Sequence, residues 1–80
     1  MQRRVTLYST PSCPYCKMTR EFFLKHAIAY IDVDVTDNEG QAAQMIEKSG
    51  QMGVPVIDID GQIISGYNKQ ALTKALGVKE

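Results

Sequence analysis

Eighty residues with nine basic and nine acidic side chains make a formally neutral chain, which argues against a nucleic-acid binder working by phosphate neutralisation. No apolar run approaches the roughly 18 residues that a membrane helix needs, so no membrane partner is expected. Residues 1–80 make a single domain close to the lower size limit for a self-sufficient core, and 44% hydrophobic residues is ordinary for a globular protein.

Residues 3–9 alternate apolar and polar side chains and predict a first strand. A helix follows over residues 14–27, with Met18, Phe22, Phe23 and Ala27 on or near one apolar stripe. Lys17, Arg20, Glu21 and Lys25 fall mostly outside it. Residues 28–35 are rich in β-branched side chains and predict a second strand. Thr36-Asp37-Asn38-Glu39 matches a capping box, in which a threonine hydroxyl and a glutamate three residues later satisfy backbone N–H groups. It opens a second helix through Ala42, Ala43, Met45 and Ile46, closed at Ser49-Gly50.

Residues 53–59 read as a third strand, with Pro55 confined to its start or to an edge because it donates no ladder hydrogen bond. Asp60-Gly61 is a two-residue hairpin signal leading to a fourth strand over 62–65. Gly66-Tyr67-Asn68 turns into a last helix capped by Asn68. It faces Leu72, Ala75 and Leu76 inward and ends at Gly77. The order β-α-β-α-β-β-α defines an α/β fold: a right-handed parallel unit, extended by a hairpin into a four-stranded mixed sheet flanked by three helices.

The chemistry concentrates at Cys13-Pro14-Tyr15-Cys16. Cys13 stands where the first strand hands over to the first helix, just ahead of Pro14, whose missing N–H costs nothing at a first helical position. Unpaired N–H groups and about half a positive charge at that helix end favour a thiolate. Thiols so placed have pKa values of roughly 3.5–7.5 instead of about 8.5. Cys16, three residues on, lies on the same helical face within reach of a short disulfide. An exposed nucleophilic sulfur backed by a second sulfur suits thiol–disulfide exchange. One competing reading is a structural bridge, to which so short a loop adds little stability. Another is half of a zinc site, for which only His26 is at hand, itself in a structural place near a helix end. No apolar stretch follows Arg3-Arg4, so no export signal is expected. The setting expected is the reducing cytoplasm, where a C-x-x-C is catalytic or metal-binding more often than structural.

Cys13-Pro14-Tyr15-Cys16 after a β-α-β opening, with Val54-Pro55 entering the third strand, closely resembles the glutaredoxins of the thioredoxin fold, over essentially the whole chain. The resemblance implies Cys13 as nucleophile and Cys16 as the thiol that resolves the mixed disulfide. It also implies a cis bond before Pro55, and a backbone at Val54 that pairs with that of a substrate or of glutathione. Glutathione is then a co-substrate, with no tightly bound cofactor and no metal. The protein is expected to be a monomer acting on disulfide-containing or glutathionylated proteins.

Two departures from that pattern bear on the electron donor. Thr10 stands three positions before Cys13, where glutathione-using members often carry a basic residue for a glutathione carboxylate. Ser65-Gly66-Tyr67-Asn68 stands where they tend to have Gly-Gly-x-Asp, whose acid holds the tripeptide's α-amino group. Ser-Gly-aromatic is similar to the small glutaredoxin-like redoxins that thioredoxin reductase recharges and that feed ribonucleotide reductase. The residues expected to bind substrate or glutathione are Thr10, Pro14, Tyr15, Lys17, Val54, Pro55, Gly66, Tyr67 and Asn68. Several have plainer readings: Tyr15 as an exposed aromatic, Lys17 as a solvated helix residue, Gly66 as a turn, Tyr67 as packing and Asn68 as a cap. A different class of function, carriage of a glutathione-ligated iron–sulfur cluster as in some relatives, is by the same resemblance disfavoured by Pro14.

Overall fold

β1 (Val5–Ser9) runs through the middle of a sheet ordered β2-β1-β3-β4, in a computed structural model that describes residues 4–36, 38–51 and 53–78. β2 (Ile31–Asp34) lies parallel to β1, with Leu7 opposite Asp32 and Ser9 opposite Asp34. β3 (Val56–Ile59) is antiparallel on the other side, and β4 (Gln62–Ser65) returns against it. Alternation of side chains along the strands decides the layers. Val5, Leu7, Ile57, Ile59 and Ile64 face α1 (Pro14–Lys25) and α3 (Lys69–Leu76), and bury there with Phe22, Phe23, Leu72 and Ala75. Tyr8 and Val56 point the other way and close on Met45 of α2 (Glu39–Ser49). The element order and mixed sheet are those the sequence predicts.

Several boundaries differ, each for a local reason. α1 stops at Lys25 because Ala27 takes a left-handed conformation, φ 54°. Its N–H donates to the Leu24 carbonyl at 3.2 Å and that of Ile28 to Phe23 at 2.8 Å, the paired bonds of a Schellman stop, with alanine where glycine is usual. Met18 and Ala27 are exposed. The inward face is instead Cys16, Thr19, Phe22 and Phe23. Thr19 is tolerated there because its hydroxyl donates to the Tyr15 carbonyl at 2.8 Å.

β2 is shorter than expected, since Ile28 and Tyr30 turn into the core ahead of it, Tyr30 meeting the Phe23 ring at 4.8 Å between centroids. The cap of α2 is Asn38, whose side-chain oxygen accepts the Gln41 N–H at 3.1 Å. Thr36 is not the cap: its own N–H goes to the Asp34 carboxylate at 2.8 Å. Asp37 of the expected capping box and residue 3 of the expected first strand lie outside the described residues. β3 begins only after Pro55. At the hairpin Asp60 and Gly61 both have positive φ, 51° and 94°, as a type I′ turn requires. Asn68 caps α3 by accepting the Ala71 N–H at 3.0 Å, and Gly77 ends it.

Candidate active site

β1 ends in wholly buried Ser9, and residues 10–12 carry the chain over the end of the sheet to Cys13, whose N–H donates to the Thr10 carbonyl at 3.4 Å. Cys13 is the N-cap of α1, in extended conformation with φ −83° and ψ 117°. Its sulfur takes the place usually held by a serine or aspartate oxygen, accepting the Cys16 N–H at 3.2 Å. Pro14 occupies the first turn and no acidic side chain does, so nothing within that turn offsets the positive end of the helix.

Both cysteines are free thiols, and their surroundings differ. Cys13 is half-buried, whereas Cys16 is 0% exposed. Burial above all pushes the Cys16 thiol up to about 12, helped by its hydrogen bond with Cys13. The Thr10 backbone and the charge of Arg20 pull it the other way. At neutral pH Cys16 is therefore protonated and shielded.

The Val54–Pro55 bond is cis, as the resemblance implied. The Val54 carbonyl lies 3.8 Å from the Cys13 sulfur, a long contact from a weak S–H donor. Gly66, with φ 78°, donates its N–H to the Pro55 carbonyl at 2.8 Å, which ties the turn after β4 to the same loop. Thr10, Cys13, Cys16, Val54, Pro55 and Gly66 are thus joined in one constellation. Pro14 and Tyr15 stand beside it on the exposed first turn, Tyr15 being 59% exposed.

The remaining expected residues make other contacts, and the Lys17 N–H donates to the Cys13 carbonyl at 3.2 Å. Lys17 is exposed and shares a groove with Arg20, Leu24, Ile28 and Tyr30. Tyr67 packs against the core between α1 and α3, and lines a shallow groove with Met18, Phe22 and Lys69. Asn68 is the α3 cap.

Three residues behind the cysteines went unnoticed in the sequence. The Arg20 guanidinium donates from Nε to Asp32 at 2.6 Å and from Nη2 to the Ser9 hydroxyl at 2.7 Å, and that hydroxyl donates to the other Asp32 oxygen. The one available signal was the spacing of Arg20 four residues after Cys16, one turn along the same helix face. Among the described residues, no group of three or more histidine, cysteine, aspartate or glutamate side chains is arranged to hold a metal ion, and no helix is long and apolar enough to cross a membrane.

Comparison with known proteins places the chain in a family. The glutaredoxin family model matches residues 5–64. An uncharacterised glutaredoxin-like 8.6 kDa protein in the rubredoxin operon of Clostridium pasteurianum is 44% identical over 72 residues, covering 90% of this chain and 96% of its own. Glutaredoxin 3 of Escherichia coli is 31% identical over 62 residues, 78% of this chain and 75% of that one. The glutaredoxin-like protein NrdH of Lactococcus lactis is 30% identical over 70 residues, 88% and 96% respectively. The crystal structure of a thioredoxin-like protein superposes with a TM-score of 0.86 at 25% identity, over 91% of this chain and all of its own length. The chain belongs to the glutaredoxin family, on the thioredoxin-like fold. That family defines it as a thiol–disulfide oxidoreductase.

Proposed function

We propose that this chain reduces protein disulfides by a two-sulfur relay. Cys13, as a thiolate, attacks one sulfur of the substrate disulfide, the substrate S–S bond breaks, and the departing thiolate takes a proton. Cys16 then gives up its proton, attacks the Cys13 sulfur of the mixed disulfide and expels the second substrate thiol. The substrate has gained two electrons and two protons, and the Cys13–Cys16 pair is left oxidised for a donor to reduce. One observation carries this division of roles: the two sulfurs differ in access, and burial holds the proton on the inner one. Cys16 is walled in, with its thiol pushed to about 12, so outside disulfides do not meet it. Cys13 caps the helix one turn away and receives the Cys16 N–H. A reducing cytoplasm is the setting this chemistry suits.

Recharging by thioredoxin reductase is favoured by Asn68, whose side chain is committed to the Ala71 N–H, and by a first turn of α3 without an acid to hold a glutathione amine. The relation to NrdH supports the same reading, and the Ser65-Gly66-Tyr67 resemblance makes ribonucleotide reductase the substrate class to try first. Glutathione as co-substrate is the second reading, supported by the Cys-Pro-Tyr-Cys loop and the relation to glutaredoxin 3. Reduction of a small disulfide, run in parallel with thioredoxin reductase and with glutathione plus its reductase, distinguishes them by which system consumes NADPH. Cys13→Ser is expected to abolish turnover in both. Cys16→Ser is expected to abolish protein-disulfide reduction and to spare any glutathione-linked activity. Equal, complete loss in both variants under the glutathione-linked assay contradicts the division of roles.

A further inference from the structure

We infer that Arg20 is a positioning residue for the second sulfur: its guanidinium, fixed by Ser9 and Asp32, supports the negative charge that Cys16 carries when it resolves the mixed disulfide, a role that presupposes the two-sulfur relay. Arg20 follows Cys16 by one turn of α1, which places the two Cβ atoms about 5–6 Å apart on one face. Two of its three guanidinium nitrogens are committed, Nε to Asp32 and Nη2 to Ser9. Nη1 has no hydrogen-bond partner among the described residues. Ser9 is wholly buried at the strand end from which the chain leaves for Cys13. The guanidinium is therefore anchored to the same floor as the cysteines. A half-exposed ion pair contributes little to stability; what this one fixes is where a positive charge sits.

The groups acting on Cys16 are few. Cys13 and the Thr10 backbone lie on its own loop and turn, and Arg20 lies one turn on. Asp32 on β2, together with Tyr30 just before that strand, faces Arg20 from behind. The Asp32 carboxylate acts on Arg20, which it holds in place, and Asp34 on the same strand also feels the Arg20 charge. Once Cys13 is bonded in the mixed disulfide it carries no charge, and the charge of Arg20 still acts on Cys16. In that step the Cys16 S–H loses its proton to solvent, the Cys13–Cys16 bond forms, the bond from Cys13 to the partner sulfur breaks, and the expelled thiolate is protonated. No further oxidant or reductant enters.

The test is stopped-flow reaction of the reduced full-length protein with dithiobis-nitrobenzoate, which releases one coloured thiolate on attack by Cys13 and a second on resolution by Cys16. Arg20→Gln is expected to leave the first burst within about twofold. It should slow the second about five- to tenfold and move its pH profile upward. The rate falls less than the thiolate population because the more basic thiolate that remains is the better nucleophile. Arg20→Lys should restore the second burst. An unmoved second burst in Arg20→Gln, or equal slowing of both bursts, overturns the role of Arg20. A wild-type protein without a second burst, matching Cys16→Ser, sinks the relay itself.

Discussion

The two faces of the sheet are built by different means. On the side of α1 and α3, nine side chains are buried together, with Phe22, Phe23 and Leu72 interleaved among the strand residues. On the side of α2, among the described residues, Tyr8, Met45 and Val56 are, with Val33, Val35, Val54 and Ile63 half-buried against them and a polar contact at the rim. There Lys48 donates to the Tyr8 hydroxyl at 2.9 Å and to Asp58 at 3.0 Å, with its ammonium 5.3 Å from the Tyr8 ring centroid. Cys16 and Thr19 share the inward face of α1 with Phe23, so the reactive loop rests on the thicker face. Rigidity at the sulfurs is drawn from apolar packing, while the opposite helix is held at its rim by charge.

Phe23→Ala should do the most damage. Emptying a wholly buried ring site costs about 3–5 kcal/mol, comparable to the entire stability of a domain this small. Urea titration should find the variant largely unfolded, with exchange lost. Met45→Ala on the thin face should cost about 2–4 kcal/mol and leave the rate of Cys13 attack at the wild-type value in the folded fraction; a slowed attack would break the comparison.

Alkaline pH probes the thick face from within. The Cys16 thiol ionises near 12 when folded against 9.0 when exposed. The unfolded chain therefore gives up that proton first and binds fewer protons across this window, so stability is complete below about pH 9 and falls as pH rises toward 12. Urea midpoints on either side of pH 9 should show the decline, and Cys16→Ala should lessen it. On the rim, Lys48→Met should cost roughly 0.5–1 kcal/mol, less in high salt, with exchange rates untouched. The smallest change is a gain: Ala27→Gly relieves a left-handed alanine and should add about 0.5 kcal/mol or somewhat more, visible as a raised midpoint.

What the sequence revealed was local chemistry. The cysteine pair at a strand-to-helix junction, the Asp60-Gly61 turn and the Asn68 cap each declare themselves within a few neighbours, and together with the alternation of the strands they are enough for the element order. Where two local signals overlapped, the choice went astray. Asn38-Glu39-Gly40-Gln41 has the same cap-plus-three form as Thr36-Asp37-Asn38-Glu39, and packing of Met45 against Tyr8 and Val56 belongs to the helix that starts later. Nothing near Ala27 announces a left-handed residue, because alanine is a strong helix former and its conformation follows from Ile28 folding onto the core beside Phe23. The Ser9–Arg20–Asp32 contacts depend on the register of β1 with β2, which no short stretch encodes.

β2 also decides how copies of this protein treat one another. It is a bare margin of the sheet, four residues long, and Ile31 at its start is 59% exposed, the kind of surface on which a second molecule can anneal strand to strand. Asp32 and Asp34 alternate with its apolar residues, so two such margins brought together would set carboxylate against carboxylate. The Thr36 N–H, more than its hydroxyl, holds Asp34 below the usual carboxylate range, so that charge stays on the margin even where ordinary carboxylates begin to take up protons.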